Sequence, residues 1–97
     1  MIILHDNEDG WLGIDYEEAD GIFVLYSGIR TKWSLSKYKK YLILFGEIIN
    51  KLKVDELYSF AFDEKSKKFN ELFGFQDVGH GLTEDYVPFR LMKLEIR

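Results

Sequence analysis

The run from Ser34 to Leu52 constrains the fold of this chain more than any other segment. Leu35, Tyr38, Leu42, Phe45, Ile49 and Leu52 recur at spacings of three and four, the period of one helical face. Ser34 precedes them as an N-cap, placed to accept a hydrogen bond from an early amide of the helix. Tyr41, Leu44 and Ile48 make a second apolar row, so one flank is covered as well as the main face. Two covers suit that row: neighbouring loops, or a second copy of the chain in a homodimer. The main face needs a sheet, and the segments around the helix supply one.

Ile2 to Leu4 is a short β-rich run, closed by Asn7-Glu8-Asp9-Gly10, whose Asp-Gly pair signals a hairpin. From Trp11 to Tyr16 the residues Leu12, Ile14 and Tyr16 alternate with Trp11, Gly13 and Asp15. The polar Glu17 to Gly21 turn then leads into a third strand, Ile22 to Ser27. After the long helix, Val54 to Phe62 reads as a strand with Tyr58, Phe60 and Phe62 on one side. A right-handed crossover through the helix would set that strand parallel to the third. A shorter helix is predicted from Glu64 to Phe73, with Gly74 as its stop. Phe75 to Val78 and Phe89 to Ile96 are the last strands, separated by a polar loop that contains Gly79-His80-Gly81 and Pro88. The order β-β-β-α-β-α-β-β predicts an α/β chain of the mixed α+β kind, with a mixed, mostly antiparallel sheet and two packed helices. No linker or repeat interrupts it, so residues 1–97 are expected to form a single domain.

Composition narrows the function classes. The chain has no cysteine and two histidines without ligand spacing, which argues against a disulfide scaffold, a thiol catalyst and a transition-metal site. Its apolar runs, of which Tyr41 to Phe45 is as long as any, are far short of a membrane span, and a cytoplasmic location is expected. The net charge of −4 argues against general nucleic-acid binding. The charge is unevenly spread, however. Residues 1–29 hold seven acids and no lysine or arginine, whereas residues 30–53 hold seven bases and only Glu47 as an acid. An acidic surface over residues 6–20 would suit a protein partner, and the basic segment would suit an anion. Both charge blocks also fit solvated faces that balance each other.

Lys37, Lys39 and Lys40 occupy the first two turns of the long helix, where backbone amides already make the end positive and where acids are preferred. Arg30 and Lys32 lie just before it. Helix N-termini bind phosphate, so this segment reads as an anion site, with lysines pointing into water as the alternative.

Two segments resemble the GNAT superfamily of N-acetyltransferases. Asp63-Glu64-Lys65-Ser66-Lys67-Lys68-Phe69-Asn70-Glu71-Leu72-Phe73-Gly74-Phe75 is similar to the family's late motif, Asn-x-x-Ala-x-x-Leu-Tyr-x-x-Leu-Gly-Phe. Gly74-Phe75 match it outright, while Asp63 stands in the place of Asn and Phe69 and Phe73 in the places of leucines. Gly28-Ile29-Arg30-Thr31-Lys32-Trp33-Ser34-Leu35-Ser36 occupies the position of the family's pyrophosphate loop. The resemblance implies acetyl-CoA or CoA as cofactor. It would be held by Gly28, Arg30, Lys32, Ser34, Ser36 and Lys37, with Asp63 and Phe69 contributing from the late motif. It implies no metal.

The same comparison exposes losses. The family loop, Gln/Arg-x-x-Gly-x-Gly/Ala, has small residues where this chain has Trp33 and Leu35. Asn70 replaces the tyrosine that protonates the leaving thiolate, so no catalytic residue is assigned. The family's N-terminal strand and the helices that shape its acceptor pocket have no counterpart in residues 1–97, so the resemblance implies a truncated GNAT-like domain as the expectation. Compact GNAT-like chains with eroded cofactor loops resemble bacteriophage-encoded proteins, which implies a non-catalytic protein-binding or inhibitory module acting on a host component. Two alternatives stand beside it: a minimal acyl-CoA-dependent N-acyltransferase acting on an amine, and an unrelated α+β interaction module.

Overall fold

The computed structural model describes residues 1–97, with six strands and two helices in the order β-β-β-α-β-α-β-β, an α+β architecture. The chain divides into two compact units, residues 1–54 and 55–97.

In the first unit, β1 (Ile2–Asn7), β2 (Gly10–Glu17) and β3 (Ile22–Ile29) form an antiparallel meander with β2 in the middle. The β1–β2 hairpin falls where the Asp-Gly pair predicts it, but for a different reason. Glu8 and Asp9 are the two loop residues, and the Asn7 side-chain oxygen accepts from the amides of Asp9 and Gly10 at 2.9 and 3.2 Å. Gly10 begins β2, and a Cβ there would lie 2.5 Å from the Gly28 carbonyl oxygen. Close strand approach requires this glycine, not a left-handed turn. Gly21, at the β2–β3 turn, does need its conformation: its φ is 66° and its amide donates to the Glu17 carbonyl at 2.8 Å.

Helix α1 (Leu35–Lys51) starts as predicted, with the Ser34 hydroxyl accepting from the Lys37 amide at 3.2 Å. Its buried stripe draws on both expected rows: Phe45 and Ile49 come from the core row and Tyr41 from the second, each four residues apart, whereas Leu35 and Leu42 of the core row are exposed. The Tyr41 hydroxyl is bonded to the β1–β2 turn, a contact that hydrophobic spacing does not show. Ile14, Val24 and Leu25 complete the buried apolar set of this unit.

In the second unit β4 (Glu56–Ala61) pairs antiparallel with β6 (Pro88–Glu95), whose other edge pairs antiparallel with β5 (Gln76–Leu82). Leu57, Ser59 and Ala61 are the buried side of β4, with Met92 opposite Ser59. Helix α2 (Glu64–Leu72) is capped by Asp63, which accepts from the Ser66 amide at 2.7 Å. It stops at Gly74, with φ of 93°, where the amides of Gly74 and Phe75 return to the carbonyls of Glu71 and Asn70. Phe75 then enters the core.

Strand β5 is longer than the sequence suggests. Gly79-His80-Gly81, expected in a loop, continues the strand, and His80 pairs with Arg90. Gly81 lies opposite Phe89, whose ring would be 2.8 Å from a Cβ at that position. The glycine is there to seat an aromatic ring on the strand, and composition alone does not distinguish this from a loop glycine. The first unit does the same with Trp11 and Gly28, which are also paired across strands.

Candidate functional site: the start of the long helix

Asp9 comes from the two-residue β1–β2 loop and is buried despite its charge. Three side chains converge on its carboxylate. The Lys37 ammonium and the Thr31 hydroxyl donate to Oδ1 at 2.7 and 3.0 Å, and the Tyr41 hydroxyl donates to Oδ2 at 2.6 Å. Its main-chain carbonyl is used as well, accepting from the Arg30 amide at 3.0 Å and from the Trp33 indole at 3.2 Å. A buried carboxylate is tolerated only when so many donors satisfy it. The Lys37 ammonium, followed by the Tyr41 hydroxyl, holds the Asp9 carboxyl down to about 2, outweighing the opposing effect of burial. Asp9 in turn raises the Lys37 ammonium above its ordinary value.

Aromatic rings wall this cluster. Trp33 stacks on Tyr41 with centroids 4.7 Å apart and meets Tyr38 edge-on at 5.3 Å, while His5 approaches Tyr41 edge-on at 5.9 Å. Asn7 donates to the Tyr41 hydroxyl at 2.9 Å, so the same turn that supplies Asp9 also orients the phenol. Arg30 forms an ion pair with Asp6 and donates to the carbonyl of Asn7 at 2.7 Å.

Sequence reading predicts an anion here because α1 has no acid in its first turn. The anion is present, and it belongs to the chain: Asp9, distant in sequence, stands beside the helix start. Of the expected cofactor residues, Gly28, Arg30, Lys32, Ser34, Ser36 and Lys37 all lie on the β3–α1 connection or its borders. Arg30 and Lys37 carry carboxylates, Ser34 caps the helix, and Lys32 and Ser36 are exposed. The space above Gly28 is filled by Trp11, whose indole nitrogen lies 2.1 Å from where a Cβ would be. Asp63 and Phe69 belong to the second unit. Asp63 caps α2, an arrangement that lowers its carboxyl chiefly through the Ser66 amide, and Phe69 packs against Phe73 with rings 5.0 Å apart.

Sequence analysis missed Asp9 because an aspartate before a glycine in a short loop is the ordinary turn choice. The lack of any acid near the lysines of α1 was the one available signal, and it names no residue.

No helix is long and apolar enough to cross a membrane, and no group of three or more His, Cys, Asp or Glu side chains is gathered to hold a metal. Compared with protein-family models, curated proteins and solved structures, the chain matches none.

Proposed function

We propose that this chain is a degenerate GNAT-like protein that acts by binding another protein and not by transferring an acyl group. The observation that carries this reading is the Asp9 carboxylate, already bonded to Lys37, Thr31 and Tyr41. A cofactor pyrophosphate held at the start of α1 by Lys37 would compete with it for that ammonium. Losing the cation leaves the buried carboxylate charge uncompensated, a severe cost. Arg30 is similarly committed to Asp6, and the indole of Trp11 lies where backbone at Gly28 would have to meet the ligand. The residues in place therefore do not fit the cofactor. The GNAT likeness itself is supported by the element order and by the Gly74-Phe75 helix stop, where the positive φ and the buried ring do the physical work the motif calls for.

Calorimetric titration with acetyl-CoA and CoA tests the proposal. The expected result is no saturable heat up to millimolar ligand. Saturable binding that Arg30→Ala and Lys37→Ala weaken, in variants with unchanged circular dichroism, would establish the acyltransferase reading instead.

A further inference from the structure

Resting on the protein-binding reading, we propose that the partner docks through a basic segment carrying an apolar anchor, on the face formed by Tyr16, Phe23 and the β2–β3 turn. Tyr16 and Phe23 are directly opposite in the β2–β3 register, with ring centroids 4.9 Å apart, and are 48% and 37% exposed. Two large rings left this open form a preformed apolar surface with little side-chain entropy to lose on contact. Ile2 pairs with Ile14, on the same face of the meander as Tyr16, and extends the surface at 68% exposed.

The charges around this face are what identify the occupant. Of the three acids at the β1–β2 turn, Asp6 is paired with Arg30 and Asp9 with Lys37, which leaves Glu8 as a single exposed carboxylate there, away from the two rings. At the β2–β3 turn Glu18 and Asp20 are exposed and have no basic partner. The turn adjoins the rings, since a Cβ on Gly21 would lie 3.8 Å from the Tyr16 hydroxyl. Lysine or arginine beside an aliphatic or aromatic anchor would pair with these carboxylates while the anchor covers the rings. The cations would gain further from the aromatic faces. A nucleic acid or an acidic segment would be repelled at the same place.

Two synthetic peptides of equal charge test this against the intact protein: acetyl-Lys-Leu-Lys-Trp-Lys-Leu-Lys-amide and acetyl-Lys-Gly-Lys-Ser-Lys-Gly-Lys-amide. The expected result is that the first peptide alone perturbs backbone amide resonances around Tyr16 to Phe23. Its affinity should fall by about tenfold in Tyr16→Ser and by a similar factor in the double variant Glu18→Gln, Asp20→Asn. Because these side chains are exposed, the variants should retain the native amide spectrum. Equal binding of both peptides, no binding of either, or perturbations confined to another surface would each overturn this docking face. The broader protein-binding reading falls only if the calorimetric titration finds saturable CoA binding, so the two failures are distinguishable.

Discussion

An alanine methyl at position 28 would lie 2.1 Å from the Trp11 indole nitrogen, closer than any nonbonded contact allows. Gly28→Ala must therefore push the ring off the strand. It is expected to cost about 1–3 kcal/mol, the range for forcing extra volume into a packed site. In a Trp33→Phe background, which leaves Trp11 as the fluorophore, the emission maximum should move; an unchanged spectrum and melting temperature would show that the ring does not rest there. Position 28 also shows how one residue type can be read in two ways. A glycine in a strand marks a close approach, but the sequence does not say whether ligand or side chain makes it. Asp9 shows the reverse case. Its residue type marks a turn, and its partners lie 22 to 32 positions away in Thr31, Lys37 and Tyr41, so nothing local announces the cluster.

At the level of elements, helices and strands were legible because periods of 3.6 and 2 are imposed by backbone geometry and survive any tertiary context. The start of α1 was equally legible, since Ser34 satisfies an orphan amide from within its own segment; Asp63 does the same for α2, a role the sequence reading did not assign to it. The C-terminal stop of α2 is local too. With φ at 93°, Gly74→Ala is expected to destabilise the fold by about 1–2 kcal/mol, the cost of a side chain in the left-handed region. Chemical denaturation would measure it, and a neutral result would mean that the helix end relaxes to another stop. The phase of α1 and the length of β5 were not legible in this way. Two apolar rows lie side by side on α1, and the buried stripe takes Phe45 and Ile49 from one and Tyr41, bonded to a distant turn, from the other. In β5, Gly79 and Gly81 look like loop residues until Leu91 and Phe89 are placed across from them.

Over the whole molecule, three carboxyls are held below their ordinary value, one in the first unit and two in the second. Asp9 is lowered to about 2, chiefly by Lys37; Asp63 is lowered by the Ser66 amide and Asp77 by the Arg90 guanidinium. Each is more acidic folded than unfolded, where the carboxyl sits near 3.8. Their stabilisation is therefore complete above that value and fades as pH falls toward the folded values. The melting temperature should hold down to about pH 5 and drop between about pH 4 and 2. Asp9→Asn should melt lower at neutral pH and lose less on acidification; a variant with the wild-type acid profile would remove Asp9 from this account. What the sequence alone determined was the order and type of the elements, the Ser34 cap of the long helix and the sign of each charged segment, because those follow from interactions among residues a few positions apart. The tertiary structure alone decided which members of the two apolar rows are buried, which glycines seat aromatic rings and which acids remain free. Each of those depends on a partner brought close by the fold, and a buried carboxylate such as Asp9 exists only where distant donors have already been gathered to receive it.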